Sequence, residues 1–164
     1  MKFLLLVFIS GLIWSEQPFR SLDGNIDCAF YSQEKRPKDY PKRAPLYLGW
    51  YTCKEDSFKS FYVYEIKGKE SFEKWVKRTM KISLKFQKTE KLTHISPVSY
   101  MQGVQFIESS TFSRDSKVNY YYGFYYFRRN NKRYIISYVE DSTLFNRNKK
   151  QVLDRLKNII AQKK

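Results

Sequence analysis

An α+β domain, built on one antiparallel sheet with a central tyrosine-rich hairpin and covered by two amphipathic helices, is the fold this sequence predicts. Three observations carry it. In residues 116–139, SKVNYYYGFYYFRRNNKRYIISYV, one alternating set is Val118, Tyr120, Tyr122, Phe124 and Tyr126, and the other is Asn119, Tyr121, Gly123, Tyr125 and Phe127. Period two puts the sets on opposite faces of a strand, and a strand rich in rings on both faces belongs in the middle of a sheet, with a helix over one side. Asn130-Asn131 interrupts the run, and asparagine tolerates the positive φ of a tight hairpin turn before the β-branched and aromatic return strand at 134–139. The second observation is the helical spacing of Phe72, Trp75, Val76, Met80 and Leu84, joined by Ile82 and Phe86. The third is the stripe Val152, Leu153, Leu156, Ile159 and Ile160 near the C-terminus.

From the N-terminus, Lys2 followed by the apolar run FLLLVFISGLI (3–13) and the small Ser15 predicts a signal peptide over residues 1–15. The run is shorter than the roughly 20 apolar residues a membrane span needs, and an uncleaved N-terminal anchor is the alternative. Residues 16–45 form an irregular N-terminal segment. Within it CAFYS (28–32) is a short strand, and QEKRPKDYPKRAP (33–45) is a basic loop, because Pro37, Pro41 and Pro45 each remove a backbone donor.

The single domain spans 46–162. LYLGWYTC (46–53) and SFKSFYVYEIK (57–67) are strands joined by Lys54-Glu55-Asp56. Gly68 ends the second, and Ser71 caps a helix of about four turns whose first turn holds Glu73 near the positive end of the dipole. Its polar face carries Lys74, Lys77, Arg78, Lys81, Lys85 and Lys88. Residues 89–93 turn the chain, and 95–101 with 103–112 form two strands, or one strand bulged at Gln102-Gly103. After the hairpin, Glu140-Asp141-Ser142-Thr143 is a polar connection, and Asn146 or Asn148 caps a last helix to about residue 162.

The chain has 164 residues and a net charge of +15, from 31 Lys and Arg against 16 Asp and Glu. Such a balance favours polyanions: acidic polysaccharide, phosphate-rich glycolipid, nucleic acid or an anionic membrane surface. The competing reading is that charge only keeps an aromatic-rich domain in solution. In an oxidising compartment Cys28 and Cys53, the two cysteines present, join as a structural disulfide; two free thiols or a redox pair are the alternatives.

Catalytic signals are sparse. His94 is the single histidine, there is no Walker loop, G-x-S-x-G or H-E-x-x-H, and no metal or cofactor is expected. Carboxylates adjacent in sequence, Glu55-Asp56 and Glu140-Asp141, point apart on a strand and read as turn residues. The interleave of Tyr120, Tyr121, Tyr122, Tyr125, Tyr126 and Phe127 with Arg128, Arg129, Lys132 and Arg133 has the character of a stacking surface beside cations. Plain sheet with a solvated basic turn is the other reading of the same residues.

The order of elements, from strands through SFEKWVKRTMKISLKFQ, PVSYMQGVQFIES and YYFRRNNKRYIISYV to NKKQVLDRLKNIIAQ, resembles the PsbP-like α-β-α sandwich of photosystem II extrinsic subunit P and small exported bacterial proteins. That resemblance implies a non-enzymatic accessory or binding protein and transfers no site residue. The sequence thus predicts a periplasmic or secreted binding protein for an anionic polymer or lipid surface. Its candidate binding residues are Lys35, Arg36, Lys38, Lys42, Arg43, Lys74, Arg78, Lys81, Arg128, Arg129, Lys132 and Arg133. One alternative is a secreted hydrolase or effector using His94 with Asp141 or Glu140; another is an assembly factor whose rings bind a protein partner.

Overall fold

The tyrosine-rich stretch forms a long antiparallel hairpin, Asn119–Arg129 against Lys132–Asp141, turned by Asn130 and Asn131 at φ of 50° and 59°. The computed structural model describes residues 19–20, 28–32, 46–53 and 60–162. The expected signal peptide (1–15), the basic loop (33–45) with Lys35, Arg36, Lys38, Lys42 and Arg43, and the turn at 54–56 lie outside the described residues.

The elements are β1 Cys28–Ser32, β2 Leu46–Cys53, β3 Ser60–Glu65, α1 Phe72–Phe86, β4 Glu90–Ile95, β5 Ser99–Met101, β6 Val104–Ser113, β7 Asn119–Arg129, β8 Lys132–Asp141 and α2 Ser142–Ala161. All strands join one antiparallel sheet in the order β1-β2-β3-β8-β7-β6-β4, with β5 also paired to β6. The hairpin therefore occupies the middle of the sheet.

The two faces of β7 have separate cores. Tyr121, Tyr125 and Phe127 pack with Tyr134, Ile136 and Tyr138 of β8 and with Phe145, Val152, Leu156 and Ile159 of α2. Phe19, Phe61 and Val63 join this core. Tyr122, Phe124 and Ile135 pack on the opposite side with Phe72, Trp75, Val76 and Met80 of α1. The hairpin has α2 over one face and α1 over the other.

The helix-covered sandwich predicted from the sequence is corrected by the extent of the sheet. Strand accounts for 50% of the described residues and helix for 30%. Seven strands side by side span about 29 Å, whereas a helix is about 10–12 Å across. One helix on each face leaves outer strands open. This is a sheet-dominated fold with two helices on it.

Three boundaries also differ from expectation. Residues 90–95 form edge strand β4, not a turn; its burial pattern runs exposed through Lys91, Leu92, Thr93 and His94, so no period-two apolar signal marks it. The strand predicted at 95–101 is confined to β5. Helix α2 starts at Ser142 rather than near Asn146 or Asn148, because the Asp141 side chain accepts from the N–H groups of Thr143 and Leu144. Helix α1 starts where expected, with the Ser71 side chain accepting from Lys74 N–H.

Cys28 and Cys53 are joined in a disulfide between directly opposed positions of β1 and β2, across a sequence separation of 25. The bridge joins edge strand β1 to β2 and closes a covalent loop through residues 28–53. A Cys28→Ser/Cys53→Ser variant should lose roughly 3 kcal/mol of unfolding free energy through the freed loop entropy. Urea titration of oxidised wild type against the variant measures it; equal midpoints would deny the bridge a stabilising role.

Candidate functional site

The hairpin's tyrosines are spent on the fold. The Tyr121 hydroxyl donates to Glu108 Oε1 at 3.0 Å and meets the Tyr125 hydroxyl at 3.0 Å, while the Tyr121 ring stacks on Phe145 with centroids 3.6 Å apart. Gly123 makes room for both hydroxyls: a Cβ there would lie 2.7 Å from that of Tyr125 and 2.9 Å from that of Tyr121. On the other face Tyr122 donates to Glu90 Oε2 at 2.9 Å, and Thr111 donates to the same oxygen at 2.8 Å. Tyr138 donates to Glu140. Burial, reinforced by neighbouring Tyr125 and Glu108, holds the Tyr121 hydroxyl far above the ordinary tyrosine value; burial also raises Tyr122 and Tyr51, and lifts Tyr125 to about 12.

Two of the predicted hairpin-tip cations are likewise engaged within the fold. Arg129 donates to the carbonyls of Ile159 and Ile160 at 2.9 and 3.0 Å, closing the last turn of α2, and lies over the Phe19 ring at 4.7 Å. Burial lowers its pKa. Arg133 donates to the carbonyls of Glu70 and Gly68, holding the approach to α1. Lys132 is exposed, and exposed Arg128 donates to the Tyr126 hydroxyl at 3.1 Å.

The first helix carries the cations that face water. Lys74, Lys81, Lys85 and, just beyond its end, Lys88 are exposed. Lys77 pairs with Glu73 at 2.6 Å. Arg78 donates from Nε and Nη2 to the two oxygens of Glu70, both at 2.8 Å, and this fork holds the Glu70 carboxyl below its usual range.

Beside α1, the same sheet face carries a stripe of rings that the sequence reading did not single out as a site. Tyr31, Trp50 and Tyr62 are directly opposed on β1, β2 and β3, and Tyr47 opposes Tyr64. Centroids are 5.4 Å apart for Tyr31–Trp50, 6.2 Å for Tyr47–Trp50, 5.9 Å for Tyr47–Tyr62 and 5.5 Å for Tyr47–Tyr64. Trp75 of α1 ends the row, 5.2 Å from Tyr64. The register shift between Tyr47 and Gly49 is what brings Tyr47 and Trp50, three apart, to one face. Gly49 permits it, since a Cβ there would sit 2.2 Å from the Tyr31 carbonyl oxygen. A glycine inside LYLGWYTC was the available signal, because strand glycines mark bulges and close backbone approach.

The residues of the hydrolase alternative are kept apart. His94 is exposed on β4, three strand spacings, about 14 Å, from β8. Asp141 of β8 caps α2, and Glu140 is buried beside Tyr138. Among the described residues no three His, Cys, Asp or Glu side chains cluster to hold a metal, and no helix is long and apolar enough to cross a membrane.

Two measurements test this assignment of roles. The buried tyrosines stay neutral in the folded protein above the pH at which an unfolded tyrosine ionises, so their contribution is complete below about pH 10 and is lost as pH rises toward and beyond 12. Urea unfolding should give constant stability from pH 8 to about 9.5 and then a loss approaching about 1.4 kcal/mol per pH unit for each such tyrosine. Stability unchanged at pH 11 would contradict it. Separately, Arg129→Ala should cost roughly 2 kcal/mol, from two charge-assisted bonds to helix carbonyls, while exposed Lys132→Ala should stay within about 0.5 kcal/mol of wild type. Equal effects of the two in thermal or urea unfolding would refute the structural role of Arg129.

No family model matches the chain, and no curated protein matches it. Among solved structures it is similar to a Pseudomonas aeruginosa protein of unknown function, at 8% identity and a TM-score of 0.46 over 86% of this chain and 87% of that one.

Proposed function

We propose that this chain is an exported, non-enzymatic binding protein for an anionic envelope or extracellular component, held through the outer face of α1. The observation that carries the reading is how charge is divided. Glu90, Glu108 and Glu140 accept from tyrosines, Glu70 is held by Arg78, and Asp141 caps a helix. Lys74, Lys81, Lys85 and Lys88 meanwhile face water along one helix and its end. With these five carboxylates turned to partners within the fold and these lysines outward, cations stand in water along α1, where a chain of net charge +15 attracts polyanions. The Cys28–Cys53 disulfide supports a periplasmic or secreted home.

Binding of the mature protein to phosphatidylglycerol vesicles or to polygalacturonate should weaken by roughly tenfold or more between about 0.05 and 0.5 M salt, as the screening length contracts. A Lys74→Glu/Lys81→Glu/Lys85→Glu variant should lose most of the low-salt affinity for whichever probe binds. Affinity that is flat with salt and indifferent to these changes would sink the reading.

A further inference from the structure

The ring stripe on β1–β3 offers a different chemistry from the lysines next to it. Tyr31 and Tyr62 remain 49% and 37% exposed although they stand in a contiguous row of packed rings. A contiguous exposed aromatic patch is uncommon on a soluble domain and marks a place where something docks. The rings of Tyr31, Trp50 and Tyr47 are nearly parallel, at 19° and 11° between neighbours, so they hold each other in fixed orientation. Each carries a polar tip, a phenol hydroxyl or an indole N–H, beside an apolar face. A sugar ring has the complementary make-up, with C–H groups on its faces and hydroxyls around its rim.

The adjoining charge narrows the class. Trp75 ends the row, and on a 100°-per-residue helix Arg78, Ile82 and Lys85 follow it within about 80°, on the same flank. Arg78 is turned to Glu70, and Lys85 is exposed, with Lys74 and Lys81 on the adjoining outer face. Aromatic faces next to lysines suit a sugar chain that bears carboxylates. A lipid surface is the poorer fit, because insertion draws on Leu, Phe and Trp and the exposed rings here are tyrosines. Single-stranded nucleic acid also stacks on rings beside cations, but the disulfide argues for an oxidising compartment.

We propose that the stripe of Tyr31, Tyr47, Trp50 and Tyr62 binds an acidic polysaccharide, its sugar rings against the exposed rings of Tyr31 and Tyr62 and its carboxylates toward Lys85 and the outer face of α1. The proposal rests on the anionic-component reading above and specifies the ligand's chemistry.

Titration calorimetry of the full mature chain with polygalacturonate tests it, alongside dextran, phosphatidylglycerol vesicles and a single-stranded oligonucleotide. Tyr31→Ala/Tyr62→Ala should weaken polygalacturonate binding by about tenfold or more while leaving the salt slope as in wild type, because stacking is not screened. Tyr31→Phe/Tyr62→Phe, which keeps the rings, should retain most of the affinity. Lys74→Glu/Lys81→Glu/Lys85→Glu should flatten the salt slope instead. In the wild-type protein, polygalacturonate should shift tryptophan emission even at about 1 M salt, where charge attraction is screened, and Trp50→Phe should abolish the shift; this readout stands even where the alanine variant fails to fold. Wild-type affinity in a folded Tyr31→Ala/Tyr62→Ala protein would overturn the proposal while leaving the anionic reading in place. Binding to vesicles without polygalacturonate, tighter binding to the oligonucleotide, or equal binding of dextran would also overturn it. Failure of every anionic probe would bring down both.

Discussion

A tyrosine packed against a hydrophobic core still has to place its hydroxyl, and a buried donor without an acceptor costs about 1–3 kcal/mol. Strand β7 puts that requirement at the centre of the sheet, with Tyr121, Tyr122 and Tyr125 all buried. The fold answers with carboxylates from other strands: Glu108 of adjacent β6 under Tyr121 and Glu90 of β4, one strand further out, under Tyr122. Tyr138 on β8 adds the same pairing with Glu140. The first two pairings tie β7 to β6 and to β4 through side chains, and the third lies within β8. Together they also take scarce acidic residues out of the surface of a protein that has half as many of them as cations, 16 against 31.

The second consequence of a long, central, two-sided hairpin is width. Once β7 and β8 are covered on both faces, further strands extend the sheet beyond what one helix per face can shield. On the α2 side, the rings of Phe19, Tyr51 and Phe61 fill in toward β1. On the α1 side the same strands end in rings instead of aliphatic side chains, and the bulge at Gly49 turns one more ring to that face. Tyrosine and tryptophan suit a half-covered position, since the apolar body packs and the polar tip meets water. The stripe is what remains when a wide sheet meets a narrow helix.

These relations decide what the sequence made legible. The hairpin, its Asn130-Asn131 turn, helix α1 with its Ser71 cap and the Cys28–Cys53 pair were readable because each rests on local chemistry: alternation, positive φ, a capping oxygen, a shared compartment. Edge strand β4 was not, because it is exposed along most of its length and has no apolar face to alternate. The start of α2 was hidden among Asp141, Asn146 and Asn148, all competent caps; Phe145, seven residues before Val152 and stacked on Tyr121, was the residue that separated them. The ring stripe was out of reach, since it joins residues on three strands through a register that no single segment encodes.

The cations follow a rule that charge counting misses. Arginine presents a planar fork that can satisfy several acceptors at once, and lysine presents a single strongly hydrated ammonium. In this fold the arginines at the seams use the fork internally: Arg78 on Glu70, Arg129 on the last carbonyls of α2, and Arg133 on the loop before α1. Buried Arg155 lies in α2. The lysines of α1 stand in water, where strong hydration makes exposure inexpensive. Arg128, Arg129 and Arg133 look equivalent to Lys132 in the string RRNNKR, yet two of them hold helices in place. Which cations face water is therefore set by which ones the fold leaves over, and along α1 those are lysines.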